Sequence, residues 1–195
     1  MLAPMSGDRH DFRVVNDFAR HTGWLHGFMT LYAKQGAVLF AVLLVGGYLL
    51  ARRVGSSLLV ARSLLAGAGV LIAVAVNQPI VHAVNEARPY RQLSHVLLLV
   101  SASADASFPS DHATMAGAVA AGLFYVNRKL GAVAAVAAVL MAFARVYVGA
   151  HFPVDVLAGL VVGAVVAALV QLAAAPLASV LAKLASGRLR PLIVG

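Results

Sequence analysis

Five long apolar segments run through this chain, at about residues 36–51, 64–84, 113–127, 130–148 and 154–174. The chain is 62% hydrophobic and 11% charged, with a mean hydropathy of +0.90, values typical of integral membrane proteins. Lipid offers the backbone no hydrogen-bond partners, so each segment is expected to be a helix. The sequence therefore predicts an all-α, membrane-embedded helical bundle of five transmembrane helices, forming a single domain over residues 1–195.

Two flanking segments are assigned to the membrane surface, outside a transmembrane core at residues 34–174. Residues 12–32 interleave aromatic and aliphatic side chains with charged ones, a pattern that favours an amphipathic helix in the outer interface. A sixth, weakly hydrophobic crossing is the alternative for this segment. The tail at residues 175–195 follows the fifth crossing and carries basic residues, so it is expected on the cytoplasmic surface.

The basic residues indicate which face of the membrane each loop occupies. They follow the first segment, join the third to the fourth, and follow the fifth: Arg52, Arg53, Arg62, Arg128, Lys129, Lys183, Arg188 and Arg190. Alternating crossings put all of them on one face, which the positive-inside rule makes cytoplasmic. The formal net charge of +8 is explained by this topology, so no nucleic-acid partner is predicted.

Short polar motifs lie at the opposite ends of the same segments. Counting crossings places the end of the second segment, the start of the third, the end of the fourth and the start of the fifth on the outer face. The residues expected to meet there in one pocket are Arg88, Ser110, His112, Arg145, His151 and Asp155. A transporter would instead concentrate polar groups near the membrane midplane, often in repeated halves, and no repeat is visible.

The residue types in these motifs suit the binding of phosphate. Arg88 and Arg145 offer planar sets of donors that match phosphate oxygens. Ser110 is the predicted N-cap of the third apolar helix, with Asp111 in the first turn, and the start of a helix attracts anions. An ordinary N-cap without a ligand is the alternative interpretation of Ser110.

The histidines add the groups needed for phosphoryl transfer. Asp155 follows His151 by four residues, a spacing at which a carboxylate can fix the imidazole tautomer and make the opposite nitrogen nucleophilic. His112 suits proton transfer to a leaving oxygen and then from a water molecule. Such a site requires neither a metal ion nor a cofactor, and the absence of cysteine excludes a thiolate nucleophile.

At these residues the chain resembles a known family. The order Arg-Pro, then Pro-Ser-x-His, then Arg-x5-His-x3-Asp is similar to the type-2 phosphatidic acid phosphatase superfamily. Residues 104–112, 127–129 and 148–157 more closely resemble the bacitracin-resistance type of undecaprenyl-diphosphate phosphatase. The resemblance implies hydrolysis of undecaprenyl diphosphate to undecaprenyl phosphate and inorganic phosphate, which recycles the carrier lipid of peptidoglycan synthesis. It also implies a multi-pass protein of the bacterial plasma membrane with an extracytoplasmic site.

The resemblance assigns a role to each matching position. His151 would attack the terminal phosphorus and form a phosphohistidine, with Asp155 orienting the ring. His112 would protonate the leaving lipid phosphate. The groups that would hold the phosphoryl oxygens are Arg88, Arg145, Ser110 and the backbone N–H groups near Asp111.

The chain departs from the broad superfamily pattern at three positions. Val81 stands where a lysine is usual, Asp111 where a glycine is usual, and Ala144 where a serine is usual. The first two changes resemble the undecaprenyl-diphosphate branch and favour a prenyl diphosphate substrate. A phosphatase for another lipid phosphate, such as phosphatidylglycerol phosphate, is the alternative, and a small membrane transporter is a more distant one.

Three further residues are candidate substrate contacts. Glu86 is expected to form a salt bridge that steadies Arg88; a contact to the far end of the diphosphate, or to a water molecule, is the alternative. Tyr90 and Arg91 are candidate contacts to the diphosphate, with Arg91 a substitute for the missing lysine. The expected partners are the polyprenyl diphosphate and the bilayer, and the sequence leaves a homodimer open.

Overall fold

Every regular element in the described part of the chain is helical, which confirms the all-α prediction. The computed structural model describes residues 6–184. Its α-helices are α1 (Ser6–His21), α2 (His26–Gln35), α3 (Ala37–Val54), α4 (Ser57–Val84), α5 (Pro89–Gln92), α6 (Asp111–Val126), α7 (Arg128–Tyr147), α8 (Pro153–Val170) and α9 (Ala174–Leu184). Short 3-10 turns at Gly23–Leu25 and Gln171–Ala173 connect α1 to α2 and α8 to α9.

Four stretches of the described residues are long and apolar enough to cross a membrane: Ala37–Val54, Ser57–Gln92, Arg128–Tyr147 and Pro153–Leu184. They correspond to four of the five predicted crossings. The remaining segment forms α6, which has only 16 residues, fewer than the roughly 20 that cross a bilayer unaided. Most side chains of α6 are buried, and it packs against α4, α7 and α8. The shortest segment is therefore the centre of the bundle.

Glycines bring α6 and α8 into close contact. A Cβ atom on Gly163 would collide with the carbonyl oxygen of Thr114, and one on Gly159 would lie 2.6 Å from the carbonyl oxygen of Ser110. Small residues at such positions let helix backbones approach in a membrane bundle. Consequently the first turns of α6 and α8 lie side by side, and Ser110 N donates to the carbonyl oxygen of Asp155 at 3.0 Å.

Local sequence signals set the helix ends that position the polar motifs. Asn85 ends α4 in the left-handed conformation with φ 47°, a conformation that asparagine tolerates better than most residues. Pro89 and Pro153 occupy the first turns of α5 and α8, where a missing N–H costs nothing. The side chain of Asn127 accepts from Leu130 N at 3.0 Å and starts α7.

The N-terminal segment differs from the prediction of one helix at residues 12–32. The first helix begins earlier, at Ser6, and ends at His21. The Thr22 hydroxyl donates to the carbonyl oxygen of Phe18 at 2.8 Å, and Gly23, a poor helix former, follows. The segment therefore breaks into α1 and α2, and its placement in the outer interface remains a prediction.

Helix α1 covers the end of the bundle that carries the motifs. The Phe12 side chain is 1% exposed, and its ring packs edge-on against Phe152 with centroids 5.5 Å apart. Asn16 exchanges two hydrogen bonds with the backbone of Leu97, both at 2.9 Å. These contacts hold α1 and the loop after α5 together.

At the other end of the chain, α9 packs against α4. Its Ala174 and Ala178 side chains are buried. The Gln171 amide in the preceding turn donates to the carbonyl oxygen of Arg62 at 3.0 Å. The remainder of the predicted cytoplasmic tail, residues 185–195, lies outside the described residues.

Candidate active site

The ends of four helices converge on one cavity of about 550 Å³, here called the main cavity. Its polar wall includes Arg88, His112, Arg145 and His151, which are separated by up to 63 positions in sequence. Its other lining residues are Gln78, Val81, His82, Asn85, Ala104, Asp105, Ala106, Pro109 and Asp111. The structure thus brings together four of the six residues that the crossing count placed on one face, whereas Ser110 and Asp155 are fully buried and do not line the cavity.

His151 lies in the turn between α7 and α8 and is 2% exposed. Its Nδ1 atom is 2.9 Å from the carbonyl oxygen of Ser107 and 3.3 Å from Oδ2 of Asp155. Both partners accept hydrogen bonds, so Nδ1 carries the proton and Nε2 is the unprotonated nitrogen. Nε2 is 3.1 Å from Nη1 of Arg88. The nucleophilic nitrogen is therefore next to a phosphate-binding cation.

The environment keeps the His151 ring neutral. Burial lowers the pKa of His151 to about 4, and the positive charges of Arg145 and Arg88 act in the same direction. The hydrogen bond and negative charge of Asp155 oppose this shift. Near neutral pH the ring thus has the uncharged form that a nucleophile needs.

Asp155 is fully buried in the first turn of α8. Its Oδ2 atom accepts from Phe152 N at 2.8 Å and from the Ser107 hydroxyl, and it contacts His151. The predicted orienting role of Asp155 is thus shared, since the carbonyl oxygen of Ser107 lies nearer to Nδ1. Sequence reasoning missed Ser107, although it stands within the Ser-Phe-Pro-Ser motif only three residues before Ser110.

Backbone carbonyl groups orient the two arginines. Arg88 donates through Nε to Asp105 and through Nη1 to Ala150, both at 3.1 Å. Arg145 is 9% exposed and donates through Nη1 to Ala33 at 3.3 Å. Neither arginine forms an ion pair with a carboxylate among residues 6–184. Their charges are therefore available to an anionic ligand.

Ser110 precedes α6 as predicted, but its side chain makes no capping hydrogen bond. The Ser110 hydroxyl is buried and has no hydrogen-bond partner among the described residues. An unpaired buried hydroxyl is costly unless a ligand supplies a partner. This geometry disfavours the ordinary-cap interpretation, but Ser110 is fully buried and does not line the main cavity, so a contact of its hydroxyl with phosphate stays a prediction.

Two amide side chains of α4 hold Asp111. Oδ1 of Asp111 accepts from Nδ2 of Asn77 at 2.7 Å and from Nε2 of Gln78 at 2.9 Å. Asn77 also donates to the carbonyl oxygen of Pro109 at 3.2 Å. These amides fix the loop that leads into α6, a contact visible only in the tertiary structure.

The three candidate substrate contacts have different surroundings. Glu86 is 6% exposed, forms no ion pair with Arg88, contrary to the prediction, and does not line the main cavity. The Tyr90 hydroxyl exchanges hydrogen bonds with the backbone of Ser103 at 3.0 and 2.8 Å. Nη1 of Arg91 donates to the carbonyl oxygen of Ala104 at 3.2 Å. Arg91 is absent from the cavity wall, so its position does not support the predicted substitution for a lysine.

A second cavity of about 350 Å³ adjoins the main cavity and is here called the α2 lobe. The two cavities share Arg88, Asp105, His112 and Arg145. The α2 lobe is further lined by Ala33, Lys34, Tyr90, Val100, Ser101, Ser103 and Ala150. Lys34 is another residue that sequence reasoning missed, because it lies next to the segment assigned to the interfacial helix.

The positive charge of this site comes from side chains. The described residues contain no group of His, Asp or Glu side chains arranged to hold a metal ion. Two arginines, a free hydroxyl and a neutral imidazole are instead suited to bind a phosphoryl group and accept it on nitrogen. Together, site and bundle define a membrane-embedded phosphatase.

Comparison with known proteins agrees with this class. The PAP2 superfamily signature matches residues 62–174, a range that includes His112, His151 and both arginines of the main cavity. The chain belongs to the PAP2 superfamily, which confirms the resemblance to type-2 phosphatidic acid phosphatases. It is a multi-pass membrane protein of this lipid phosphatase family.

Individual relatives cover most of the chain. It is 31% identical to undecaprenyl-diphosphatase BcrC of Bacillus subtilis over 156 residues, which are 80% of this chain and 78% of that protein. The crystal structure of Aquifex aeolicus LpxE superposes with a TM-score of 0.65 at 28% identity, covering 83% of this chain and 92% of that one. The fold is also shared with a PAP2-type phosphatidylglycerolphosphate phosphatase from Bacillus subtilis, with a TM-score of 0.61, 22% identity and 86% coverage of both chains.

Proposed function

We propose that this protein hydrolyses undecaprenyl diphosphate to undecaprenyl phosphate and inorganic phosphate at the outer face of a bacterial plasma membrane. The observation that carries the chemistry is the unprotonated Nε2 of His151, 3.1 Å from Nη1 of Arg88 at the wall of the main cavity. The similarity to undecaprenyl-diphosphatase BcrC supports the choice of substrate. The hydrocarbon tail remains among the lipids while the diphosphate enters the cavity.

In the first step Nε2 of His151 attacks the terminal phosphorus. Arg88, Arg145 and the Ser110 hydroxyl bind its oxygens, and Arg88 exchanges its contact with Nε2 for one with phosphate. The N–P bond forms as the bond to the bridging oxygen breaks. Burial, with the charges of Arg145 and His151, lowers the pKa of His112 to about 4, and the negative charge of the bound diphosphate raises it again. The bridging oxygen takes the electron pair and a proton from His112, so undecaprenyl phosphate leaves.

The phosphorylated ring carries positive charge, which the surroundings of Nδ1 stabilise. Its Nδ1–H group is held by the carbonyl oxygen of Ser107 and by the Asp155 carboxylate. In the second step His112, now neutral, takes a proton from water as the water oxygen attacks phosphorus. The N–P bond breaks, its electron pair returns to Nε2 of His151, and inorganic phosphate leaves.

The reaction can be tested with purified protein in detergent. Phosphate release from undecaprenyl diphosphate is expected to persist in EDTA, and His151→Ala is expected to abolish it. His21→Ala is a matched control, since the His21 side chain is 76% exposed and its replacement is expected to leave the rate unchanged. Substrate labelled in the terminal phosphate should label the wild-type protein with an acid-labile, base-stable phosphate. A requirement for metal, or full activity of His151→Ala, would refute this mechanism.

The substrate is tested separately from the mechanism. Undecaprenyl diphosphate and phosphatidylglycerol phosphate should be assayed side by side, because both would use the same phosphate-binding groups. The proposal expects a higher kcat/KM for the diphosphate. A higher value for phosphatidylglycerol phosphate would favour the alternative lipid phosphatase while leaving the His151 chemistry intact.

A further inference from the structure

The α2 lobe contains one cation that the main cavity lacks. Arg88, Arg145 and His112 line both cavities, whereas Lys34 lines only the α2 lobe. Val81, on the α4 side of the main cavity, is uncharged. A diphosphate carries charge on two phosphorus centres, and when both arginines bind the terminal phosphate, Lys34 is the cation that remains for the second one.

The positions of the two histidines indicate which phosphate occupies the α2 lobe. His151 lines only the main cavity, and His112 lines both. In an in-line displacement the leaving oxygen lies opposite the nucleophile. The leaving group therefore lies away from His151 and beside its proton donor His112, and the α2 lobe is the cavity that His112 lines and His151 does not.

The Lys34 side chain is free to bind a ligand there. It is exposed, and the structure gives it no hydrogen bond or ion pair within residues 6–184. The backbone next to Lys34 is held in place, because the carbonyl oxygen of the adjacent Ala33 accepts from Nη1 of Arg145 at 3.3 Å. The long lysine side chain thus extends from the last turn of α2, next to the arginine of the site.

We infer that Lys34 binds the lipid-linked phosphate of a diphosphate substrate and thereby favours diphosphates over simple phosphates. This inference rests on the proposed function. Lys34 stabilises the substrate and the leaving phosphate by a charge-assisted hydrogen bond, while His151, His112 and the arginines act on the terminal phosphate. Helix α2 thus contributes a specificity-determining residue from outside the helices that carry the catalytic motifs.

The experiment compares Lys34→Ala, Lys34→Arg and the control Lys129→Ala with the wild-type protein. Lys129 lies at the start of α7, beyond both cavities. With farnesyl diphosphate as a soluble substrate, Lys34→Ala is expected to lower kcat/KM by about 10- to 100-fold, the loss of one charge-assisted hydrogen bond. Lys34→Arg should retain most of the activity, and Lys129→Ala all of it.

Inhibition separates recognition of two phosphates from recognition of one. Inorganic pyrophosphate should inhibit Lys34→Ala about 10-fold more weakly than the wild type, while inhibition by inorganic phosphate should be the same for both proteins. Unchanged phosphate inhibition also shows that the variant site is folded. The inference would be overturned if Lys34→Ala weakened inhibition by pyrophosphate and by phosphate equally, or weakened neither.

The controls distinguish this inference from the proposed function. If wild-type protein hydrolyses neither undecaprenyl nor farnesyl diphosphate, the proposed function fails and the inference fails with it. If the wild type is active on both and Lys34→Ala matches it in kcat/KM and in pyrophosphate inhibition, only the role of Lys34 is wrong. Full loss of activity in Lys34→Arg would also count against it, since arginine supplies the same charge.

Discussion

The two sides of the His151 ring have opposite charge. On the cavity side, Nη1 of Arg88 is 3.1 Å from Nε2, and Arg145 is near enough for its charge to act on the ring. On the other side, Nδ1 faces the buried Asp155 carboxylate and the Ser107 carbonyl oxygen. The cationic side has no carboxylate partner among the described residues, whereas the acidic side makes hydrogen bonds within the protein.

The acidic side extends beyond Asp155. Asp8 at the start of α1 is 7% exposed and accepts from Val154 N at 3.0 Å. Burial is the main cause that raises the pKa of Asp8, with the negative charge of Asp155 adding to it. Glu86 is buried near the same carboxylates, whose charges act on it. Helix α1 thus adds a buried carboxyl group, Asp8, to the rear of the site.

This difference assigns each side to a different step. The cationic side suits the incoming phosphate. The acidic side balances the positive charge that appears on the ring when Nε2 of His151 is phosphorylated. Substitutions on the acidic side should therefore lower kcat with little change in KM, whereas substitutions on the cationic side should alter both constants.

The largest expected effect follows Asp155→Asn. An amide cannot accept all the hydrogen bonds that Oδ2 accepts, and it favours the wrong imidazole tautomer. We expect kcat to fall by about 10³- to 10⁴-fold, comparable to the loss of the orienting carboxylate in other histidine-based sites. KM should change by less than about 3-fold. Steady-state kinetics with undecaprenyl diphosphate measures both quantities.

The chain offers a control with the same residue spacing. His21 and Asp17 also lie four residues apart, with Nδ1 and Oδ2 separated by 4.0 Å, but both side chains are exposed. Asp17→Asn should leave both kinetic constants unchanged. If Asp155→Asn retains more than a tenth of the wild-type kcat, the acidic side does not have the role assigned to it.

A smaller loss is expected for Arg145→Lys on the cationic side. Lysine keeps the charge but lacks the planar set of donors, so it cannot bind the Ala33 carbonyl oxygen and phosphate in the same geometry. The expected decrease in kcat/KM is about 10²- to 10³-fold, with KM raised. Arg20→Lys is the control, because Arg20 likewise donates to a backbone carbonyl group, that of His95, but lines neither cavity. Equal effects of the two substitutions would contradict the assignment of Arg145 to phosphate.

The cationic side and the nucleophile could be predicted from sequence because they depend on topology. Once apolar segments alternate across a membrane, the ends that share a face follow from counting alone. Arg88, His112, Arg145 and His151 needed only this argument to be placed in one cavity. The all-α class could be predicted from the sequence equally well, since a bilayer allows the backbone few other structures.

The groups that support the site depend on tertiary packing, which cannot be predicted by counting membrane crossings. The Ser107 carbonyl oxygen reaches His151 only because the loop before α6 lies against the start of α8. Asn77 and Gln78 meet Asp111 across two helices. Glu86 was expected beside Arg88 because of its place in sequence, but the chain turns so that its carboxyl group is buried near Asp8.

The N-terminal segment shows a different limit. Its amphipathic pattern predicted one helix, since the alternation of apolar and charged side chains continues across a short break in the backbone. The break at Thr22 and Gly23 redirects the chain, so that α1 covers the acidic side of the site and α2 brings Lys34 to the cationic side. Asp8 and Lys34, which these two helices place near the site, lie just outside the predicted bounds of 12–32, so the amphipathic pattern alone could not identify them.

The smallest effect expected from this charge difference concerns stability at low pH. The pKa of His151 is lowered, chiefly by burial, to about 4, while an unfolded imidazole titrates near about 6.5. As the pH falls, the unfolded state therefore binds the proton first. The contribution of the neutral ring to the free energy of unfolding is complete above about pH 6.5 and is lost progressively between about pH 6.5 and 4.

Thermal unfolding in detergent between pH 7.5 and 4.5 should show a steeper decrease in Tm for the wild type than for His151→Gln. His21→Gln, altered at an exposed position, should follow the wild type, and parallel curves for all three proteins would mean that the folded protein binds a proton at His151 as readily as the unfolded chain.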